Sequence, residues 1–334
     1  MRPDLADFFR GKRALVTGGL GFIGSHLARE LVEAGAEVCL VDSLIPEYGG
    51  SLRNIAGIEA GVRVNISDVR DEHSLRYLVR EQDFLFNLAG QTSHLDSMRN
   101  PYPDLEINCR SQLSILEACR HHNPGVKIVF ASTRQIYGRP LRLPVDEGHP
   151  IAPVDVNGIN KTAGEWYHLV YGETYGVRVS VLRLTNTYGP HMRVRDARQT
   201  FLGYWLKQLL TGEELQVFGD GKQQRDFNYV DDAVEAFLLA AAHEESNGRV
   251  YNLGHAEPVD LLSLASLLVE LNGGGSFKTV PFPDDRKAID IGDFYADYGR
   301  IERELGWQPR VALREGLGRT LAFLREHGPA YWDG

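Results

Sequence analysis

The sequence predicts an α/β protein built on a doubly wound parallel sheet, with a smaller α/β substrate domain interleaved at its C-terminal end. Over the first two-thirds of the chain, short β-branched apolar runs alternate with longer segments of helical apolar spacing. Such alternation implies parallel strands joined by right-handed crossovers, with helices on both faces of the sheet. After about residue 190 the alternation loosens, and no Pro/Ser-rich linker separates the two parts.

Six strands are predicted in the first part, because each run is apolar and is bounded by turn residues: 13–17, 37–41, 62–65, 84–88, 127–131 and 178–184. Helical spacing predicts helices between them at 22–34, 73–80, 105–121 and 158–175. Beyond them we expect a helix near 200–210, a strand at 215–217, a glycine turn at 219–221, a helix at 228–244 and a strand at 250–253. Asp231 or Asp232 is expected to cap the helix at 228–244.

The composition excludes several classes of protein. The chain has 334 residues with 36 Lys+Arg against 45 Asp+Glu, and its net charge of −9 argues against nucleic acid as a partner. No apolar run approaches the roughly 20 residues of a membrane span, and the N-terminus lacks the pattern of a secretion signal. We therefore expect a cytoplasmic protein without a membrane partner. Cys39, Cys109 and Cys119 lack metal-ligand spacing, which predicts buried thiols and no metal site.

A glycine-rich segment follows the first predicted strand. Gly19, Gly21 and Gly24 fit G-x-G-x-x-G, and Gly18 with Gly21 and Gly24 equally fits G-x-x-G-x-x-G. The segment also opens a helix, which is the context of a dinucleotide-binding turn whose backbone N–H groups face a pyrophosphate. We therefore predict a Rossmann-like domain with cofactor contacts at Gly18, Gly21, Phe22, Ile23 and Gly24.

Two acidic residues at strand ends are candidate cofactor contacts. Asp42 lies about 20 residues after the last glycine, where a carboxylate accepts hydrogen bonds from a ribose diol and repels a 2′-phosphate. This position favours NAD over NADP, and a solvated strand-end aspartate is the alternative interpretation. Asp68 is interpreted either as a contact to the adenine amino group or as the cap of the next helix.

These residues belong to an ordered series of motifs. The series comprises TGGLGFIG at 17–24, Asp68, NLAG at 87–90, ASTRQIYG at 131–138, NGINKTAGE at 157–165, LRLTNTYGP at 182–190, RDFNYVDD at 225–232, YNLG at 251–254 and LGW at 305–307. In this order the motifs resemble the extended short-chain dehydrogenase/reductases, the family of nucleotide-sugar epimerases and dehydratases. The resemblance covers the chain from about residue 12 to about 310.

The resemblance implies a tightly held NAD⁺ and a two-part organisation. Leu88, Ala89 and Lys161 are expected among the cofactor contacts. Residues 1–190, with a return segment at about 225–254, would form the NAD-binding domain. Residues 191–334 would form mainly the nucleotide-sugar-binding domain.

The resemblance further implies a Tyr-x-x-x-Lys pair that removes a proton from a sugar hydroxyl while a hydride passes to the nicotinamide. Thr133 matches a residue that hydrogen-bonds this hydroxyl, and Lys161 matches the lysine. The tyrosine position is Asn157, whose carboxamide is no general base. Three accounts remain open. In the first, Lys161, His94 or Asp96 removes the proton. In the second, Asn157 and Lys161 only orient substrate and ribose, and the chemistry begins at another carbon. In the third, the chain binds NAD and a nucleotide sugar without turnover.

A second departure concerns the type of reaction. The family's 4,6-dehydratases carry adjacent Asp and Glu after the threonine, where this sequence has Arg134 and Gln135. Since arginine does not exchange protons near neutral pH, ordinary 4,6-dehydration is disfavoured. We expect an epimerase acting at C4, through a transient keto sugar, on a UDP- or dTDP-linked hexose or uronate; an atypical dehydratase is the alternative. Arg134 is interpreted either as a contact to an anionic group such as a uronate carboxylate or as a packed structural arginine.

The resemblance also implies how the substrate and a second subunit are held. Asn186, Arg225 and Arg286 match contacts to the pyrophosphate and ribose of the nucleotide, and the alternative for each arginine is a surface ion pair. The helices at 105–121 and 158–175 match the family's dimer interface. We therefore expect a homodimer, unless the following apolar residues form only the sheet-facing stripe of these helices: Leu113, Leu116, Trp166, Leu169 and Val170.

Overall fold

The computed structural model describes residues 1–45, 47–198 and 200–332. Its strands are β1 Arg13–Thr17, β2 Glu37–Asp42, β3 Val62–Ile66, β4 Phe84–Asn87, β5 Lys127–Thr133, β6 Arg178–Leu184, β7 Asn186–Tyr188, β8 Leu215–Phe218, β9 Gln224–Arg225, β10 Phe227–Tyr229, β11 Arg249–Asn252, β12 Val259–Asp260 and β13 Phe277–Val280. Its α-helices are α1 Pro3–Phe9, α2 Phe22–Glu33, α3 Glu72–Leu78, α4 His94–Arg99, α5 Pro101–Leu105, α6 Ser111–His122, α7 Val156–Tyr175, α8 Phe201–Leu210, α9 Val230–Ala242, α10 Leu261–Asn272, α11 Asp284–Ala288, α12 Gly299–Leu305, α13 Leu313–His327 and α14 Pro329–Trp332. A π-helical turn, Glu106–Arg110, joins α5 to α6.

Seven strands form one parallel sheet in the order β3-β2-β1-β4-β5-β6-β11. Thr17 pairs with Val41 on one side and with Asn87 on the other, so the carboxyl ends of β1, β2 and β4 lie at the same edge. The strand order changes direction between β1 and β4, and ligands of doubly wound sheets bind at such a switch point. The predicted fold class is confirmed, and β11 adds a seventh strand to the six predicted before residue 190.

Apolar layers cover both faces of the sheet. On one face Leu27 of α2 and Phe237 of α9 are fully buried in a cluster with Val16. On the other face Ile115 of α6 is fully buried in a second cluster with Leu15. Neighbouring residues of β1 therefore enter opposite layers, as the alternation of side chains along a strand requires.

The smaller unit is interleaved with the sheet. After β6 the chain forms α8 and β8, and β8 later pairs in parallel with β13, while α10 packs against α8. Between these elements the chain returns through β10 and α9 to β11 in the large sheet. The smaller unit is therefore built from segments that come before and after the return of the chain to the large sheet.

Two local predictions about this framework are wrong. Neither Asp231 nor Asp232 caps α9: both lie within its first turn, and Asp232 Oδ2 instead accepts the backbone N–H of Val311 at 3.0 Å. Cys39 and Cys119 are buried, but Cys109 is partly exposed. It lies in the π-helical turn on the side of α7, with its Sγ 3.8 Å from the hydroxyl oxygen of Tyr167.

Among the described residues, no helix has the length and apolar character needed to span a bilayer.

Candidate active site

A cleft of about 510 Å³ lies at the carboxyl ends of the parallel strands. The turns after β1 to β6 form one side, and α8, β8 and α11 contribute the other. All residues predicted as site residues line this cleft: Gly18, Gly21, Phe22, Ile23, Gly24, Asp42, Asp68, Leu88, Ala89, His94, Thr133, Arg134, Asn157, Lys161, Asn186, Arg225 and Arg286. Asp96, weighed as an alternative base, is not among the lining residues.

The glycine turn brings the backbone at the start of α2 to the cleft. Gly18 has a φ of +67°, which favours glycine. A Cβ on Gly24 would lie 2.2 Å from the carbonyl oxygen of Gly18, so this close approach of two backbone segments requires glycine. No side chain caps α2, which leaves its first N–H groups and positive dipole end for an anion. The turn therefore fits the diphosphate of a dinucleotide.

Asp42 closes the adjacent wall of the cleft. Its Oδ2 accepts the backbone N–H of Leu20 at 3.1 Å, and its Oδ1 accepts that of Leu44 at 2.9 Å. Burial raises the pKa of this carboxyl, against the effect of these two backbone donors. Each oxygen accepts one such bond and has a second lone pair for a ribose hydroxyl.

Asp68 lines the cleft but does not cap α3. Asp71 is the cap, since its carboxylate accepts the backbone N–H of His73 at 3.0 Å. The guanidinium of Arg70 donates to Asp68 at 2.9 and 2.6 Å, and this contact lowers the pKa of the carboxyl. The interpretation of Asp68 as a cap is therefore wrong.

Thr133 and Lys161 both line the cleft near the end of β5. Thr133 ends the strand, and Lys161 reaches across from α7 to donate through Nζ to the carbonyl oxygen of Ala131 at 3.1 Å. Burial lowers the pKa of the lysine to about 8. The Oδ1 of Asn108, in the π-helical turn, is buried without a hydrogen-bond partner among the described residues. A Cβ on Gly90 would lie 3.0 Å from both that oxygen and Lys161 Nζ, so glycine keeps this corner open.

Asn157 is turned into the wall of the cleft. Its Nδ2 donates to the carbonyl oxygen of Gln91 at 2.8 Å and to Oδ2 of Asp104 at 2.9 Å. Asn160, one turn later, donates to the other oxygen of Asp104 at 2.8 Å. The two asparagines therefore tie α7 to the buried carboxylate of α5, which is a structural use of the position where the family's tyrosine is expected.

His94 is paired with a carboxylate that sequence reasoning missed. Its Nδ1 lies 3.0 Å from Oδ2 of Asp155, whose side chain is fully buried, while His94 itself is 31% exposed. Asp155 also accepts the backbone N–H of Gly158 at 2.7 Å as the cap of α7, and the amide of Gln135 at 2.8 Å. Burial alone would raise the pKa of Asp155, but its contacts with His94 and these donors lower it. The carboxylate therefore stays ionised. Its contact with His94 is a short charge contact, since Nδ1 has no hydrogen-bond partner among the described residues.

Arg225 is committed to the protein. Its side chain is almost fully buried, and Nη1 donates to the backbone carbonyls of Gln224, at 2.8 Å, and of Gly292. Nη2 contacts Gln223 Oε1 at 3.3 Å and Asp290 Oδ1 at 3.5 Å. The arginine thus fixes the segment that carries one wall of the cleft, rather than forming the surface ion pair weighed as its alternative.

Asn186 and Arg134 support each other. Asn186 Oδ1 accepts Nη2 of Arg134 at 2.8 Å, and its Nδ2 donates to the carbonyl oxygen of Asp226 at 2.8 Å. Both ends of this amide are therefore occupied. Arg134 keeps Nη1 buried and without a hydrogen-bond partner in the described parts of the chain.

The smaller unit contributes an aromatic end to the cleft. Phe201, Trp205, Phe218 and Phe282 line it, and the rings of Phe218 and Phe282 lie 5.6 Å apart. The guanidinium carbon of Arg286 lies 5.5 Å from the centre of the Phe218 ring. A cation beside apolar rings suits a phosphate next to a flat base. No motif in the sequence predicted these aromatics, because they come from segments that only the tertiary structure brings together.

Comparison with known proteins agrees with this geometry. The model of the NAD dependent epimerase/dehydratase family matches residues 14–254. The chain is 32% identical over 323 residues to a dTDP-glucose 4,6-dehydratase of Actinoplanes sp., covering 94% of this chain and 98% of the relative. It is also 32% identical over 323 residues to UDP-glucuronic acid decarboxylase 1 of Xenopus tropicalis, covering 94% of this chain and 72% of the relative.

Comparison with a solved structure shows the same fold. The UDP-glucose 4-epimerase of Thermotoga maritima with UDP-glucose superimposes with a TM-score of 0.84 at 32% identity, covering 94% of this chain and 99% of that one. These findings confirm the predicted family and NAD as its cofactor. The chain belongs to the NAD dependent epimerase/dehydratase family.

Proposed function

We propose that the protein is an NAD-dependent 4-epimerase of a UDP- or dTDP-linked sugar, acting through a transient keto sugar. The observation that carries this proposal is the convergence on one cleft of the glycine turn, the pair Thr133 and Lys161, and the cations Arg134 and Arg286. The similarity to an epimerase solved with UDP-glucose supports the substrate class.

The proposed cofactor contacts follow from the cleft walls. The chemistry that NAD⁺ would supply when held there is reversible hydride transfer at C4 of the sugar. We assign the diphosphate to residues 18–24, the ribose to Asp42, and the nicotinamide end to Leu88, Ala89 and Lys161. Asp68, already paired with Arg70, would face the adenine. In this division residues 1–190 with 225–254 hold the cofactor, and residues 191–334 hold mainly the nucleotide sugar.

We assign the general base to His94, with Asp155 as its positioning residue. Because Nδ1 lies against the Asp155 carboxylate, 3.0 Å from Oδ2, we assign Nε2 as the nitrogen that accepts the proton. His94 and Asn157 both line the cleft, and Asp155 precedes Asn157 by two residues, so we place the imidazole on the side of the cleft where the phenol is expected. The proton of the C4 hydroxyl would pass to Nε2 as the C4–H bond breaks, and it would return when that bond forms again.

The remaining polar residues hold the reactants. Thr133 would accept or donate a hydrogen bond at the C4 hydroxyl. Lys161, with a pKa of about 8, stays mostly protonated at neutral pH and would stabilise the oxygen as it loses its proton. Asn157 positions α7. Among the three accounts of Asn157, this geometry favours another base over an altered starting carbon or binding without turnover.

The residues after Thr133 favour epimerisation over 4,6-dehydration. Arg134 and Gln135 exchange no protons near neutral pH, and the Gln135 amide is bound to Asp155. Epimerisation needs only removal of the hydride, rotation of the ketone and return of the hydride. A dehydratase would instead release a product lighter by one water, which mass spectrometry of reactions with UDP- and dTDP-sugars would reveal.

The test of the base compares variants in NAD-loaded protein, with products identified by NMR. His94→Gln should lower kcat by about 10²- to 10⁴-fold, as expected for loss of a general base, with little change in UDP binding. Asp155→Asn keeps the helix cap but removes the charge, so it should lower kcat less and shift the pH profile. His73→Gln, on the exposed face of α3, is the matched control. A wild-type kcat for His94→Gln would show that the base is elsewhere.

A second variant tests turnover itself. Wild type and Asn157→Tyr would be offered the same panel of nucleotide hexoses and uronates. The proposal predicts activity in the wild type. Activity in the tyrosine variant alone would show instead that the wild-type site binds without turnover.

We also propose that the chain forms a homodimer through the outer face of α7. Trp166 and Val170 are 53% and 47% exposed one turn apart, and Ile159, 54% exposed, continues the same stripe. Leu116 is fully buried and faces the sheet, so the expectation that it belongs to the interface is wrong. Leu113 and Leu169 are partly buried.

The proposed location is the cytoplasm, where NAD and nucleotide sugars are made.

A further inference from the structure

Arg134 is a cation in the cleft wall with few protein partners. A guanidinium carries five N–H donors. In the described residues, one hydrogen bond accounts for Nη2, to Asn186 at 2.8 Å, and Nη1 is buried without a partner. The guanidinium carbon also lies 5.4 Å from the centre of the Phe294 ring. Most of its hydrogen-bonding capacity is therefore unused by the protein.

The neighbouring arginine shows that this pattern is specific to Arg134. Arg225 is also buried beside the cleft, yet it is hydrogen-bonded to Gln224, Gly292 and Gln223. A buried polar group without partners is unfavourable and is usually satisfied by a ligand or water. Arg134 lines the cleft and is partly exposed, whereas Arg225 is buried, so of these two arginines Arg134 is the one placed to meet a ligand.

The charged groups around Arg134 are of both signs. Burial lowers its pKa to about 10, and Arg225 acts in the same direction, while Asp226 and Asp290 oppose them. The group is still cationic at neutral pH. Asp226 is itself completely buried, which raises its pKa to about 6, and its Oδ1 has no hydrogen-bond partner in the described chain. The protein gives this cation a single hydrogen bond, to Asn186, so a ligand that accepts further N–H bonds would gain from contact with Arg134.

The position of Arg134 indicates which part of the ligand it would contact. It follows Thr133 directly, and consecutive Cα atoms are about 3.8 Å apart. If Thr133 holds the C4 hydroxyl, the nearest anionic substituent of a sugar is a carboxylate at C6, on the carbon attached to C5. The nucleoside diphosphate leaves the ring from C1, on the opposite side of the pyranose from C4.

We propose that Arg134 binds the C6 carboxylate of the sugar, so that the preferred substrates are nucleoside diphosphate uronates rather than neutral hexoses. The planar guanidinium can give paired N–H···O bonds to a carboxylate, which a neutral hydroxymethyl group cannot accept in the same way. This inference rests on the proposed function for the placement of C4 beside Thr133. It assigns Arg134 a role in substrate choice and no proton transfer.

The test measures binding and turnover separately. NAD-loaded wild type, Arg134→Met and Arg286→Met are titrated with UDP, UDP-glucose and UDP-glucuronate by calorimetry, and products are quantified by NMR. The same pairs are repeated with dTDP sugars. Wild type should bind and convert the uronate at least about 10-fold better than the hexose, since a charged hydrogen bond contributes about 1.5–3 kcal/mol. Arg134→Met should remove this preference without weakening UDP. Arg286→Met should weaken all three ligands alike.

The other outcomes are distinct. If Arg134→Met weakens UDP, hexose and uronate equally, the arginine binds the diphosphate and the inference is wrong. If Arg134→Met changes nothing, the arginine is structural, and the inference is again wrong. Calorimetric preference for the uronate that is lost in Arg134→Met, without turnover of either sugar, would support the inference and contradict the proposed epimerase. An unchanged thermal midpoint of Arg134→Met confirms that these comparisons concern a folded protein.

Discussion

Replacing Lys161 with methionine should stabilise the cofactor-free protein at neutral pH while removing its activity. Lys161 is 6% exposed as a residue, and burial lowers the pKa of its ammonium from 10.5 to about 8. At 1.36 kcal/mol for each pH unit, burying the charge costs about 3 kcal/mol of folding free energy below pH 8. Losing the hydrogen bond to Ala131 costs about 1 kcal/mol. Methionine should therefore raise the free energy of unfolding by about 2 kcal/mol.

The direction in which wild-type stability changes with pH follows from the two pKa values of Lys161. The folded pKa lies below the unfolded one, so the unfolded chain binds more protons between pH 8 and pH 10.5, and wild-type stability rises with pH across that window. At about pH 9.5 the cost of burial falls to about 1.4 kcal/mol. The advantage of methionine should then nearly vanish.

Urea denaturation followed by circular dichroism, at about pH 7 and about pH 9.5, measures both values. Lys222→Met, at an exposed lysine, should stay within about 0.5 kcal/mol of wild type at both pH values. If Lys161→Met is less stable than wild type at neutral pH, or if its advantage does not shrink at high pH, burial of the ammonium does not lower the free energy of unfolding as described above.

Three further predictions concern the cofactor and the interface. Gly24→Ala should weaken NAD binding by more than about 10-fold, because its Cβ would lie 2.2 Å from the Gly18 carbonyl oxygen. The control, Gly318→Ala, has open space around it in α13, so it should bind NAD normally and gain up to about 1 kcal/mol of stability. Calorimetry measures NAD binding and melting curves measure stability. Asp42→Ser should weaken NAD and strengthen NADP, and unchanged discrimination between the two would exclude the ribose contact. Trp166→Glu should shift a dimer to monomer in light scattering at micromolar concentration; a wild-type monomer would contradict the interface.

The order of motifs predicted the large sheet and the cofactor turn well, because these depend on local patterns. Strand–helix alternation and glycine spacing are written within short windows of sequence. The glycine turn at residues 18–24 lines the cleft as expected, and so does Asp42 at the end of β2. The pattern of single residues was therefore enough to place these residues at the cleft.

The rest of the site depends on contacts between distant segments. Asp155 is 61 residues from His94, and Asp104 is 53 from Asn157, so neither pairing is visible in the sequence. The commitment of Arg225 to Gly292 likewise joins segments that no periodic pattern relates. Composition and spacing identify which side chains are present, but only tertiary structure shows which donors are already used.

The central claim is that a C–H bond at C4 is broken and re-formed in this cleft. UDP-glucuronate labelled with deuterium at C4 would be incubated with the NAD-loaded protein in ordinary water, and the product would be analysed by NMR and mass spectrometry. The account predicts a C4 epimer that keeps the deuterium at C4 and takes up none of the solvent's protons there. An epimer with solvent hydrogen at C4, or a product altered only at C5 or C6, would contradict it.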